Sequence, residues 1–324
     1  MAVTPIGTEE LVSLTIEART GKLADNITEN MALLYYLREK GNIDTFNGGS
    51  TIRQEIEYDE NEAFKWYQGY ETLSTDVNPL FTHVDFDVKQ AGLTVSVSGL
   101  EEILNNGKEA IINLVGARMK NAERTFMHRL SEGVYSDGTG YSGKQINGLQ
   151  HLVSDAGTGT VGGLNSSTET WWQNYVYDFS SNGLTASSAT IWDAMNTTWI
   201  NLKRNREGVD LIIADNNFYT YYHQFLIAMQ RIMSSEKKAK GGFDALKFMS
   251  ADVILDGGKG GDCPSNHMYF LNTDYLHWRP AKGRDMKQIG GDRMSINQDA
   301  IIRVIAWAGN MTISNRAMQG VIVA

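Results

Sequence analysis

Four groups of side chains in this sequence have types and spacings that could do chemistry. The segment Asp155–Leu164, D-A-G-T-G-T-V-G-G-L, contains G-x-G-x-x-G at Gly157, Gly159 and Gly162, with an acid following at Asp178. That is the spelling of a dinucleotide cradle, in which glycines let the backbone approach a pyrophosphate at a helix N-terminus. The segment 257–263, G-G-K-G-G-D-C, resembles a phosphate loop but lacks the G-K-[ST] ending that would place a lysine and a hydroxyl on phosphate and magnesium. Asp262, Cys263 and His267 lie close enough in sequence to consider as zinc or copper ligands. His83, Asp85 and Asp87 alternate on one face of a strand and could meet a cation.

Context weakens each of them. A true dinucleotide loop follows a buried strand and opens a helix. Here G-L-Q-H-L-V-S-D-A upstream has no strand pattern, and Gly163 with N-S-S-T-E-T delays any helix to about Ser167, where Ser166 and Glu169 would form its own capping box. The sequence therefore predicts that Gly157, Gly159, Gly162 and Gly163 form a structural turn. The 257–263 stretch reads as a surface loop, and the 83–87 trio as a solvated strand face with no second ligand cluster near it. Lys237, Lys238 and Lys240 make a basic loop tip, solvated or set against an acidic neighbouring subunit. No G-x-S-x-G elbow and no H-E-x-x-H helix is present, so we expect no catalytic residues, no metal and no cofactor.

The totals agree with a non-enzymatic reading. The chain has 324 residues, 42% hydrophobic and 21% charged, a globular composition. Its 38 acids against 29 bases give a net charge of −9, which repels phosphates on average and argues against general nucleic-acid binding. The single cysteine, Cys263, excludes an intrachain disulfide. The N-terminus has no secretory pattern, and no apolar run is long enough for a transmembrane helix. Four prolines against 32 glycines suit a subunit that bends.

The elements that must position any site come in a definite order. Residues 1–43 read as a helical arm, its second helix carrying Met31, Leu33, Leu34, Tyr36 and Leu37, capped by Asn26 or Thr28 and ended by Gly41. Ile52, Ile56 and Tyr58 share one face of a first strand. Val84, Phe86 and Val88 then alternate in even phase, and Leu93, Val95 and Val97 in odd phase, which predicts a bulge or bend across Gln90-Ala91-Gly92. Between the strands runs an aromatic, acidic excursion that includes Phe64 and Trp66. A two-stranded ribbon of this kind is marginal alone and must lie against something. A capping box at Ser98-Gly99-Leu100-Glu101 opens a helix over 99–132, roughly 50 Å long at 1.5 Å per residue, which Gly133 stops. From about residue 181 the pattern is mixed: a strand at 209–214, a helix capped by Asp215, several short strands, and one or two long strands at the C-terminus.

Taken in order, these parts resemble a tailed-phage major capsid protein, whose fold is shared with encapsulin shells and herpesvirus capsid floors. The resemblance rests on G-G-S-T-I-R-Q-E-I-E-Y (48–58), W-Y-Q-G-Y-E-T-L-S-T-D-V-N (66–78), V-S-G-L-E-E-I-L-N-N-G-K-E-A-I-I-N-L (97–114), L-S-E-G-V-Y-S-D-G-T (130–139), I-N-G-L-Q-H-L-V (146–153) and T-V-G-G-L-N-S-S-T-E-T-W-W-Q-N (160–174). It implies an α+β fold: an N-terminal arm (1–43), an extended loop (44–97), a peripheral domain (98–180) with a spine helix (99–132), an axial domain (181–294), and C-terminal strands (295–324) returning to the peripheral domain. It implies a subunit of pentamers and hexamers in an icosahedral shell around double-stranded DNA, which the acidic chain would contact weakly. Ile52, Ile56, Tyr58, Phe64, Trp66, Val84, Phe86 and Val88 would then be the loop's subunit-interface residues, lying over a neighbour's spine helix.

The same resemblance implies a portal protein, room for a decoration protein, no membrane, and a place in the virion capsid after assembly in the host bacterial cytoplasm. Because the arm begins at once after Met1, the scaffolding protein is expected to be separate or absent. Two rival readings are an encapsulin-like compartment and a nucleotide-binding α/β enzyme built on G-T-G-T-V-G.

Overall fold

A computed structural model of the chain describes residues 31–61, 63–73, 79–98, 108–229, 245–257, 261–295 and 298–324. The helix expected to be capped by Asn26 or Thr28 starts instead after Met31, whose backbone is extended; Ser98 ends a strand, and residues 99–101 and the basic tip at Lys237, Lys238 and Lys240 lie outside the described residues. Helix α1 (Ala32–Lys40) ends where Gly41 takes a left-handed conformation (φ 79°) and its N–H returns to the Arg38 and Leu37 carbonyls. This segment is no free arm. Leu33, Leu34, Tyr36 and Leu37 are buried, Tyr36 Oη donates to Asp252, and Lys40 pairs with Asp210 and Asp274 at 2.8 and 2.7 Å.

Strands β1 (Thr51–Glu57) and β2 (Phe81–Asp87) pair antiparallel, Thr51 opposite Asp87 and Glu57 opposite Phe81. After Val88 the chain continues as β3 (Lys89–Ser98), which changes partner. The switch of buried phase falls here, at Val88 and Lys89. Pairing runs unbroken through 90–92, so the bend expected across Gln90-Ala91-Gly92 is displaced by two residues to the point where one sheet hands the strand to another.

Helix α2 (Lys108–Val134) follows. Met119, Ala122, Phe126, Leu130 and Val134 recur every three or four residues and are buried, which fixes its inner face. Gly133 does not stop it. A Cβ there would sit 2.9 Å from Ile146 Cδ1, so the glycine serves close approach. Val161 and Leu164 flank a tight hairpin between β4 (Thr160–Val161) and β5 (Leu164–Asn165). The helix expected from Ser167 is absent. Its capping serine instead donates to the Gly159 carbonyl and accepts from Arg316, and only a 3-10 turn at Thr170–Trp172 forms.

The rest builds two sheets. One has the order β6 (Tyr175–Asp178), β14 (Gly320–Val323), β10 (His267–Leu271), β7 (Leu211–Ala214), β9 (Ala251–Leu255), β8 (Ala245–Phe248). The four residues of β7 are fully buried, and α3 (Ile191–Asn201) and α4 (Asn216–Ala228) help cover the sheet. Asp215 caps α4 through a bond from the Phe218 N–H (2.9 Å), as the sequence indicates. The other sheet is organised by β13 (Gln298–Ile313). One edge carries β3 from Ala300 to Gly309. The opposite edge carries β12 (Lys287–Ser295) and then β11 (Leu276–Pro280). Trp278 and Trp307 stack at 5.0 Å in its centre. The C-terminus therefore divides: β13 joins the sheet with β3, whereas β14 lies inside the six-stranded sheet, paired with β6 and β10.

Candidate assembly surface

The extended loop has a base that is bound to the chain itself and a tip that is not. At the base, Ile52 and Ile56 on β1 and Val84 and Phe86 on β2 point to one side of the ribbon and are buried at 3%, 7%, 0% and 1% exposure. They join a cluster that includes Val161, Trp172 and Leu152. The Asp85 N–H donates to the Gly162 carbonyl (3.0 Å), stitching β2 to the β4–β5 hairpin. Gly162 and Gly163 form that hairpin's turn with φ of 60° and 86°, the left-handed values a two-residue turn needs. A Cβ on Gly162 would come within 2.6 Å of Val84 Cβ. Gly157 (φ 70°) and Gly159 (φ 122°) are also left-handed. The four glycines thus shape a turn under the ribbon. No helix starts there, so the G-T-G-T-V-G segment builds no pyrophosphate cradle.

Other contacts brace the base. Arg53 makes a two-pronged bond to Asp85 across the strands (2.9 and 3.1 Å), drawing the Asp85 carboxyl below its usual range through that hydrogen bond. Asn310 donates from its side chain to the Asp87 carbonyl (2.8 Å) while its Oδ1 accepts from the Asn147 N–H (2.9 Å). Tyr58 stacks on Trp171 with ring centroids 5.2 Å apart. Beneath the hairpin, buried Arg316 donates to the Leu152 and Trp172 carbonyls and to the Ser154 and Ser166 hydroxyls. Burial lowers its guanidinium to about 10.

The tip is different. Phe64, Trp66, Tyr67 and Tyr70 are 73%, 90%, 61% and 106% exposed, with Leu73 and Phe81 beside them at 50% and 70%. Phe64 and Trp66 meet edge to face at 5.6 Å, and Lys65 bridges to Glu71 (3.5 Å). Monomeric soluble proteins rarely leave an aromatic patch this open in water. Of the eight residues named from sequence, then, four are corrected: Ile52, Ile56, Val84 and Phe86 face this chain's own core. Tyr58 and Val88 are half-buried. Phe64 and Trp66 are exposed, as are Tyr67, Tyr70, Leu73 and Phe81, which the sequence reading did not name. These were missed because the excursion has no period from which to read a face.

The other candidate ligand sets come apart. His83 Nε2 lies 3.9 Å from Asp85, but Asp85 is committed to Arg53 and Asp87 faces Lys89 at 3.7 Å, so the three do not converge as a set. His267 bonds Asp155 (3.0 Å) and the Ser265 carbonyl, and Cys263 turns its thiol toward the His267 carbonyl. Burial pushes that thiol well up. Asp262 points elsewhere, toward α2.

No family model and no curated protein matches this chain. Solved structures do. The chain is similar to a subunit in the capsid asymmetric unit of cyanophage A-1(L), with 16% identity, 88% of this chain and 91% of that one covered, and a TM-score of 0.62. It is similar to the capsid of a native GTA particle (11% identity, 89% of each chain, TM-score 0.56). The capsid of Myoviridae phage XM1 is similar at 10% identity, over 89% of this chain and 91% of that one, with a TM-score of 0.55. These are shell-forming proteins. The fold of this chain is the α+β fold of phage capsid subunits, with the extended loop, long helix and two sheets in the order the sequence implied.

Proposed function

We propose that this chain is the major capsid protein of a tailed phage, assembling into an icosahedral shell that encloses double-stranded DNA. The observation that carries the reading is the exposed aromatic tip, held out on a rigid base, in a chain with the capsid fold. Identical subunits arranged in rings need head-to-tail contacts in which one surface reaches a different surface of the next copy. The tip supplies one half. The other half is a groove of about 380 Å³ between α2 and β3, lined by Leu93, Phe126, Leu130, Ile146 and Trp307. The tip of one copy fills this groove on its neighbour, burying rings that water now surrounds. Truncating such an anchor typically costs about 2 kcal/mol or more of binding.

The partners follow from the same reading: other copies of this chain in pentamers and hexamers, a portal protein at one vertex, a scaffolding protein, and DNA inside. A net charge of −9 supports weak contact with that DNA. The test is electron microscopy of the full chain expressed alone and with its neighbouring genes. Shells, tubes or rings of five and six support the proposal, and small uniform particles under every condition refute it. Shells whose contents are enzyme cargo and not DNA would replace the phage reading with a compartment.

A further inference from the structure

The C-terminal part of α2 presents one polar face. His128 and Glu132, four residues apart, lie one above the other on it, and Tyr135 continues the same line just past the helix end. Against this face packs the chain following β9, which brings Asp256, Asp262 and Cys263. Tyr135 donates to Asp256, and the Cys263 N–H closes the loop onto the Asp256 carbonyl (3.3 Å). His128 Nε2 is 3.4 Å from Glu132 Oε1, and His128 Nδ1 is 4.0 Å from Asp262 Oδ1. Ligand atoms of the three side chains all fall within 4.8 Å of one another.

The hydrogen bonding of this cluster is incomplete. Asp262 has only 13% of its side chain exposed, and its Oδ2 is buried with no hydrogen-bond partner among the described residues. A buried carboxylate oxygen with no donor is costly and calls for compensation. Negative charge is also in surplus. Glu132, Asp256 and Asp262 lie close together, and among the described residues Arg129 binds Glu132 through Oε2 (2.7 Å), leaving Oε1 turned toward His128.

We infer that His128, Glu132 and Asp262 form a binding site for a divalent first-row transition ion, which ties the end of the long helix to the loop between β9 and β10. One imidazole and two carboxylates suit zinc-like ions with water completing the shell. Bonds of about 2.0–2.1 Å imply ligand atoms about 3.3 Å apart in a tetrahedral shell. Closing the 4.8 Å spread to that value requires the half-exposed His128 and Glu132 side chains to turn so that a single imidazole nitrogen faces both carboxylates. The inference concerns the single subunit and does not depend on shell assembly.

Co²⁺ is the probe, because its visible spectrum reports coordination directly. Titrated into the metal-free full-length protein, it is expected to bind saturably at one ion per chain, with a d–d spectrum that Zn²⁺ displaces. His128→Ala and Asp262→Asn are expected to weaken binding at least ~100-fold, beyond what loss of an outer-shell contact does. Arg129→Gln frees Glu132 Oε2 and is expected to tighten binding, while His83→Ala leaves it unchanged. Thermal melting without metal shows that each variant is folded. Absence of a saturable spectrum, or equal affinity in folded His128→Ala and the unmodified protein, overturns the site. Shell formation is scored separately by microscopy, so either idea can fail alone.

Discussion

The base and the tip of the extended loop are both rich in large apolar residues, yet they end in opposite environments. At the base, Ile52, Ile56, Val84 and Phe86 alternate with polar residues, so a flat ribbon can turn all four onto the β4–β5 hairpin. At the tip, Phe64, Trp66, Tyr67 and Tyr70 follow no period, and among the described residues no strand or helix spans 63–73. They cannot form one face of a regular element, and they stand in water. A loop that must reach another molecule needs both parts: a base that fixes its direction and a tip left unsatisfied. The lesson is that apolar content alone does not set a residue's environment; the periodic apolar residues bury within the chain, and the aperiodic ones on the braced loop stay exposed.

The contrast can be broken from either end. Phe86→Ala removes a fully buried ring from the base and is expected to cost about 3–5 kcal/mol of subunit stability, read by denaturant unfolding. Trp66→Ala and Tyr70→Ala should leave that stability within about 0.5 kcal/mol. Each should instead weaken assembly by about 2 kcal/mol, read as the protein concentration at which shells form by light scattering. A tip substitution that unfolds the subunit, or a base substitution that affects only assembly, would reverse the assignment. Gly162→Ala forces a side chain into a left-handed turn against Val84, with an expected loss of about 1–3 kcal/mol and a ribbon loosened from its hairpin.

The smallest effects are protonic and act under the base. Burial, with Arg316 nearby, lowers the His151 imidazole below 6.5, so the fold favours its neutral form. Its contribution is complete above the unfolded value near 6.5 and is lost as pH falls through the folded value. His267 has the opposite sign. Burial would lower it, but its bonds to Asp155 and the Ser265 carbonyl raise it above 6.5. Its contribution is complete below 6.5 and fades as pH rises through the folded value. Melting temperature against pH should therefore lose slope on the acid side in His151→Gln, and above 6.5 in His267→Gln. Neither change should alter the exposure of the tip.

Much of this architecture was legible in the residues. The ribbon's alternation, the 3.6-residue spacing along α2, the Asp215 cap and the order of elements carried the fold, because each depends on local period or a single side chain. What the sequence concealed were choices between partners. Alternation showed that Val84 and Phe86 share a face but not whether that face meets its own hairpin or a neighbour. Ser166 and Glu169 spell a helix start, yet Arg316, 150 residues away, takes the serine hydroxyl and holds the segment in a 3-10 turn. The glycine stop at 133 proved to be a contact with Ile146. His128 and Glu132 stand four residues apart on the long helix, and only the fold brings Asp262, more than 120 residues on, to them. Likewise β14, which follows β13 by six residues, crosses to the other sheet, a step that no local pattern encodes.

Hydroxyl-radical footprinting of the full-length protein, as free subunits and as assembled particles, tests the central claim most directly. Phe86 should be unreactive in both states, because its own chain covers it. Trp66, Tyr67 and Tyr70 should label heavily in the free subunit and become protected on assembly, together with Tyr141, which lines the groove and is 71% exposed. Tip residues that label equally in subunit and particle would contradict the account, since the loop would then end in solvent with no neighbour to receive it.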